Sequence, residues 1–521
     1  MKQKKTFLSG AVILMVAGMI SKLLSASYRV PLQNLTGDTG FYIYQQVYPF
    51  LTLAWILSIY GFPAAISKIL NDDRYTYLNK LKLNPLFLIL LLFGAFSFSV
   101  IYFGASFFAS LMGDSQMVKP IRFSAFMYLL LPFTAFLRGM FQAREDMRPS
   151  AFSQTLEQLV RVIGILVITH ILLQHGKSLY DVGAGAALSS TFGAIVAFFF
   201  LCIVSLLIRK RSKKAEAGNV NAYSYVSIGK VLFSTSLIFS LNYLLLILLQ
   251  MVDVFTFIPN LQQYGLSFED AKEAKGVFDR GQPLVQLGVV FSLSLSLSLV
   301  PALSRHEATK EWMGNIKTAL KYTIMLASAA SIGLILVFPA VNILLFETNK
   351  GTLALQVYSL TIFFASVAMT LSVILQELGI LYRQFIIFSG CIVIKFLFNL
   401  ALIPYIGLLG GAIATVIALI VLCVCFYIYI KQQLKLHFAH VIRWVPFGLS
   451  LLTMTVVVLV IQALLHDLFE PETRLNYLGT TFITIVVGIT TYSLSLWNYG
   501  VFTKREMASF PVRGLFRRKR R

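Results

Sequence analysis

FLSGAVILMVAGMISKLLSASYRV, residues 7–30, is long enough to cross a bilayer as one helix, yet Lys22 and Arg29 lie inside it. A cation near mid-membrane costs roughly 2.5–3.5 kcal/mol on insertion scales, so it usually faces a bundle interior or a water-filled cavity. Gly18, Lys22, Ser25 and Arg29 follow i, i+4, i+7, i+11 and share one helical face. The stretch therefore reads as a wall of a polar, cationic cavity, in a helix held among other membrane helices. The alternative for Arg29 is snorkelling, because it sits near the outer edge and reaches headgroups from there.

Similar apolar windows recur to the end of the chain. They lie near 7–30, 41–69, 84–110, 119–142, 151–173, 182–208, 227–255, 279–303, 317–345, 354–378, 384–404, 407–430, 443–465 and 477–500. The 521 residues are 57% hydrophobic and 13% charged, which excludes a soluble globular or a disordered protein. The fold class is an all-α polytopic membrane protein of about 14 transmembrane helices. One stretch, FSLSLSLSL at 291–299, alternates like a strand. An isolated strand leaves its backbone unsatisfied in lipid, so it reads as helix.

Sidedness follows from the basic residues. With the N-terminus inside, the inner loops and termini hold 28 Lys and Arg and the outer loops 7. This fourfold bias places both termini in the cytoplasm and an even number of spans between them. The basic end, RGLFRRKRR at 513–521, suits the anionic inner leaflet. The net charge of +22 is spread over short loops, not one folded face, which argues against nucleic acid. Lys2, Lys4 and Lys5 before an apolar run imitate a signal peptide, but the run is too long and Lys22 interrupts it, so the segment is expected to stay.

A weak repeat pairs GFPAAISK (61–68) with LVPALSR (299–305), and 183–201 with 407–425. It implies an N-terminal lobe over 1–208, a linker over 209–226 and a C-terminal lobe over 227–430. Two further helices fill 431–500, and a basic tail 501–521. The arrangement expected is two six-helix lobes around a central cavity.

Other polar residues interrupt the apolar runs. Gln154, Glu157, Gln158 and Arg161 fall within two turns. Glu157 and Arg161 are spaced to pair along the helix, or else they line the cavity. Lys395 and Asn399 lie deep in an apolar run and require a partner on another helix. Asp253 closes one span; Asp279 and Arg280 open the next. An acid there binds a coupling sodium or proton, or pairs with Arg280. Between them, 258–278 is the longest outer loop and has the composition of a short surface helix. Tyr42, Tyr44 and Tyr48 with Gln45 and Gln46 suit either sugar stacking or an ordinary aromatic belt. Cys202, Cys391, Cys423 and Cys425 lie in apolar runs and read as core residues. No Walker A loop is present, the six histidines form no metal-ligand set, and no outer loop is large enough for a catalytic domain. An enzyme is therefore not expected.

The stretches 9–30, 61–69 (GFPAAISKI) and 249–288 (LQMVDVFTFIPNLQQYGLSFEDAKEAKGVFDRGQPLVQLG) together resemble the polysaccharide flippases of the MATE-like superfamily, in the stage V sporulation protein B and MurJ branches. That resemblance implies fourteen helices in two lobes with a V-shaped cavity. It implies a flippase of the cell membrane, acting as a monomer, that moves an anionic lipid-linked oligosaccharide outward by alternating access. Membrane potential or an ion gradient would drive it, with no cofactor. A multidrug or small-cation exporter of the same superfamily is one alternative, and a membrane glycan polymerase or ligase is another. In MurJ-type proteins arginines contact the pyrophosphate of the substrate, and by motif those positions fall at Lys22, near Arg29, and at Arg280. Ser25 and Gln46 join them as substrate contacts; Asp253, Asp279, Glu157, Arg161 and Lys395 are candidates for ion coupling or gating. Two departures stand out: a lysine at 22, which loses bidentate phosphate contact, and no arginine in 49–56 (PFLTLAWI).

Overall fold

The computed structural model describes residues 16–72, 85–209, 225–297, 310–434, 439, 441–469 and 474–502. All regular structure among them is helical, as a chain buried in lipid requires, since only a helix satisfies its own backbone there. Helix α1 covers 16–27 and runs through Tyr28 into α2, Arg29–Ile56. Then come α3 Phe62–Leu70, α4 Pro85–Phe103, α5 Ala105–Leu111, α6 Val118–Ala143, α7 Arg148–Gln174, α8 Leu179–Arg209 and α9 Tyr225–Gln263. The remainder is α10 Phe268–Asp279, α11 Gly281–Leu297, α12 Lys310–Phe346, α13 Thr352–Glu377, α14 Leu381–Ile406, α15 Leu408–Leu434, α16 Trp444–Phe469 and α17 Arg474–Asn498.

Among the described residues, twelve stretches are long and apolar enough to cross a membrane. The first, Val16–Leu70, is two arms that meet at Gly37. Counting both arms and adding α11 gives the fourteen helices read from the sequence. The loop expected at 31–40 shrinks to a single residue. Helix continues to Thr36, whose hydroxyl donates to the Leu32 carbonyl at 2.8 Å, and the chain turns at Gly37 with φ 68° and ψ −176°. No neighbour comes within 4 Å of a Cβ built there, so glycine is needed for its backbone conformation, not for space. The serine-rich stretch is helical through residue 297. The lysines before residue 16, the 299–305 echo and the basic tail lie outside the described residues.

A π-helical turn, Leu57–Gly61, joins α2 to α3, and Pro63 explains it. The Phe62 N–H reaches back five residues to the Leu57 carbonyl. The matching donor for Ser58 would come from residue 63, and proline has none. The Ser58 carbonyl is thus left free for a side chain.

By internal contacts the chain divides into two compact units. One comprises residues 1–290 with 379–422; the other comprises 291–378 with 423–521. In the first, α2 packs on α6, α7, α8, α9 and α10. Small residues bring α8 close to α7: a Cβ at Gly193 would stand 2.6 Å from the Glu157 carbonyl oxygen. In the second, α12 is tied to the last helices. Lys321 donates to the Val501 carbonyl at 2.9 Å, and the Tyr492 hydroxyl to the Met325 carbonyl at 2.8 Å.

The stretch after α9 corrects one expectation. Helix α10 forms, with Ser267 capping the Asp270 N–H at 3.2 Å, but only its first turn, with Glu269 and Asp270, is exposed, and the rest packs inward. Lys272, Lys275, Val277, Phe278 and Asp279 are buried, and Gly276 lies so close to the Asp38 backbone that a Cβ would overlap it. Its polar composition serves buried ion pairs instead of water.

Candidate functional site

Three tyrosines form the scaffold. Tyr44 and Tyr48 are one turn apart on α2, and Tyr28 joins them from the end of α1. The Tyr28 and Tyr44 hydroxyls are hydrogen-bonded, and their rings meet edge-on at 6.0 Å. Tyr48 lies 6.0 Å from Tyr44. None of the three faces lipid, so the aromatic-belt reading is set aside.

Two guanidinium groups converge on this scaffold. Arg29, fully buried, lies over the Tyr48 ring with its central carbon 4.2 Å from the centroid. Arg161, from α7, stands 5.6 Å from the same centroid and donates to the Tyr44 hydroxyl at 3.3 Å. Both are therefore inside the protein, and the snorkelling alternative for Arg29 is excluded. Half-buried Lys22 lies two turns before Arg29 on the same face, within electrostatic reach of Arg29 and Tyr48. Half-buried Ser25 is beside the Tyr48 hydroxyl.

The cluster's cations have no acidic partners among the described residues. None of the three Arg29 nitrogens has a hydrogen-bond partner, and neither does the Arg161 Nε, the Gln158 Nε2 or the Trp55 Nε1. Both polar atoms of the Gln46 amide are also unpartnered. Among the described residues, no carboxylate pairs with Lys22, Arg29 or Arg161. Burying a charge carries a penalty of several kcal/mol. A desolvated cation–π contact returns about 2 kcal/mol, which leaves a deficit. A concentration of unpartnered N–H donors and positive charge, without a carboxylate among the described residues, suits an oxyanion that takes many charge-assisted hydrogen bonds.

Elsewhere in the same unit, buried cations have their acids. Arg138 Nη2 meets Glu157 Oε2 at 2.6 Å, its Nε donates to Ser153 Oγ at 3.0 Å, and its Nη1 reaches the freed Ser58 carbonyl at 3.3 Å. This corrects the pairing of Glu157 with Arg161 along α7. The partner is on α6, and Arg161 keeps its charge for the tyrosines. Sequence reasoning misses Arg138, although a cation in the apolar run 119–142 carries the same signal as Lys22.

Arg280 grips Asp38 with two bonds, Nε to Oδ1 at 2.8 Å and Nη2 to Oδ2 at 2.5 Å. Its fork is thereby engaged by a carboxylate. Asp279 pairs with Lys275 at 2.5 Å, not with Arg280. Asp253 pairs with Lys395 at 2.7 Å and accepts from Asn399 Nδ2 at 2.8 Å. Lys395 thus finds its partner on α9. The ten residues singled out in the sequence divide accordingly. Lys22, Ser25, Arg29 and Arg161 gather around Tyr48. Gln46 lies on the same helix as Tyr48. Asp253 with Lys395, Asp279, Arg280 and Glu157 belong to closed ion pairs.

Comparison with known proteins bears on the family and the fold. A family described as polysaccharide biosynthesis protein matches residues 7–307, and one described as lipid II flippase MurJ matches residues 276–502. An uncharacterized membrane protein YabM of Bacillus subtilis (strain 168) is 38% identical over 506 residues, covering 96% of this chain and 94% of that one. In fold, the chain is similar to a lipid II flippase MurJ in the inward closed conformation. The TM-score is 0.67 at 16% identity, over 94% of this chain and 99% of that one. It is also similar to an inward-facing multidrug resistance MATE family transporter of the MOP superfamily. There the TM-score is 0.59 at 15% identity, over 82% and 99%. With more than half its length matched and the helical architecture in agreement, this multi-pass membrane chain belongs to the polysaccharide biosynthesis protein family.

Proposed function

We propose that this protein is a flippase for an anionic, diphosphate-linked lipid oligosaccharide, carrying the head group from the inner to the outer leaflet. The observation that carries the reading is the buried pair Arg29 and Arg161 on Tyr48, with many donors and, among the described residues, no carboxylate partner. Phosphoryl oxygens would fill those donors, and Lys22 would add a third charge on the approach. The glycan part of the substrate has Gln46 and Gln158 as amide partners nearby. Membrane potential or an ion gradient drives alternating access, both termini face the cytoplasm of a bacterial-type cell, and the monomer is the working unit. A cation exporter would place unpaired acids where this chain places unpaired arginines, so the same observation disfavours it.

Binding of a diphosphate-linked lipid glycan to the purified protein, against its dephosphorylated counterpart, tests this. A charged hydrogen bond contributes about 1.5–3 kcal/mol, so Arg29→Ala or Arg161→Ala should each weaken binding about tenfold to a hundredfold. Equal affinity for the charged and uncharged lipids would sink the reading. Cells depleted of their lipid II flippase then ask about the glycan. Rescue by the intact chain, lost in Arg29→Ala, names lipid II as a substrate. Non-rescue by well-expressed protein removes lipid II and leaves other diphosphate-linked glycans.

A further inference from the structure

The surroundings of Lys395 resemble a cation site more than a salt bridge. Its ammonium, at the middle of α14, is met by Asp253 Oδ1 at 2.7 Å, Thr415 Oγ1 at 2.5 Å and the Gly411 carbonyl at 3.1 Å. The first comes from α9 and the other two from α15, and all three are oxygens. A lysine ammonium has three donors, and here each has an acceptor. Asn399, one turn along α14, donates to Asp253 Oδ1 and to Thr256 Oγ1 at 2.7 Å. Its own buried amide oxygen has no partner, so the cluster holds a further acceptor in reserve.

Carboxylate, hydroxyl and carbonyl oxygens are the ligands of hard, oxygen-seeking cations. The single carboxylate balances one positive charge, so the chemistry fits a monovalent ion and not a divalent one. In this chain that charge is supplied covalently. A free ion and the ammonium would compete for the same oxygens, and two positive charges against one buried carboxylate are disfavoured. A coupling metal ion at Asp253 therefore does not fit the residues present.

We infer that Lys395 is a built-in cation: its ammonium fills an oxygen-lined cradle of Asp253, Gly411, Thr415 and Asn399, makes the protein independent of alkali ions there, and conceals a monovalent-cation site that appears when the ammonium is removed. This holds whatever substrate is transported, and it is tested through stability instead of transport.

The full-length protein in detergent, unfolded by heat and followed by the fluorescence of its four tryptophans, supplies the readout. Sodium, potassium, ammonium and choline chlorides are compared at one ionic strength. The wild type is expected to unfold at the same temperature in all four. Lys395→Ala is expected to unfold several degrees lower in choline, with saturable recovery in potassium or ammonium, the ions nearest in size to the missing group. Adding Asp253→Asn to Lys395→Ala should remove that recovery. If the alanine variant does not fold, Lys395→Met, of similar volume, takes its place. Two results overturn the inference. One is a wild type stabilised by sodium over choline in a manner abolished by Asp253→Asn. The other is a folded, monodisperse Lys395 variant that ignores every monovalent cation offered.

Discussion

Arg29 and Arg138 are both fully buried, yet they stand in opposite electrostatic positions. Arg138 has Glu157 at 2.6 Å; Arg29 has a tyrosine face and no acceptor. Removing one member of a buried pair leaves the other charge stranded and costs about 3–5 kcal/mol, whereas exchanging an uncompensated buried charge for an apolar side chain relieves a desolvation penalty of several kcal/mol. Arg138→Met should therefore lower the thermal midpoint sharply, while Arg29→Met should hold or raise it and weaken substrate binding about tenfold to a hundredfold. Equal destabilisation by the two would mean that Arg29 is a structural residue. Arg29 is legible in the sequence, because a cation in a span is rare. For Glu157 the sequence points to the wrong partner, because helical spacing offers Arg161 four residues on. The true partner comes from α6 and is visible only once α6 and α7 are packed. Arg280 reads by motif as a phosphate ligand, and the motif carries no sign that Asp38 already engages it.

At the scale of elements, lipid makes the helices readable. A backbone without water has one way to satisfy itself within a single segment, so apolar windows and helices coincide, including the serine-rich stretch through residue 297. Hidden from such windows are places where geometry depends on a single residue. Gly37 turns the chain where ten residues of loop were expected, and Pro63 opens a π turn that frees the Ser58 carbonyl for Arg138. Helix α10 reads as a surface helix because lysines and acids usually mean water; here Lys275 and Asp279 satisfy each other below the surface. Its seating rests on Gly276 against the Asp38 backbone, the same residue whose carboxylate holds Arg280. Gly276→Ala should thus cost about 1–3 kcal/mol by overpacking and loosen the Asp38–Arg280 pair as well. Gly314→Ala is the control: it is exposed in α12 with nothing within 4 Å of a new Cβ, and should be stabilising by about 0.5–1 kcal/mol. Denaturation of both variants in parallel separates the two effects, and an unchanged Gly276→Ala protein would contradict the packing described.

For the whole molecule the informative quantity is the distribution of charge, not its sum. Twenty-eight basic residues in one set of loops against seven in the other is a statement about sidedness that internal packing alone does not contain. The test starts from a protein with Cys202, Cys391, Cys423 and Cys425 changed to alanine, since all four are free thiols. Single cysteines then replace Lys177, after α7, Lys350, between α12 and α13, and Arg144, between α6 and α7; all three positions are exposed. An impermeant maleimide added to intact cells should label the cysteines at 177 and 350 and spare the one at 144, which reacts only after lysis. Positions 144 and 177 flank one span, α7, so they must differ whatever the orientation. Between 177 and 350 the chain crosses through α8, α9, α11 and α12, an even number of spans, so position 350 tests the count as well as the sign. Labelling at 144 in intact cells, with 177 protected, would invert the topology. It would also place the basic loops outside, against the field and the anionic lipids that normally retain them.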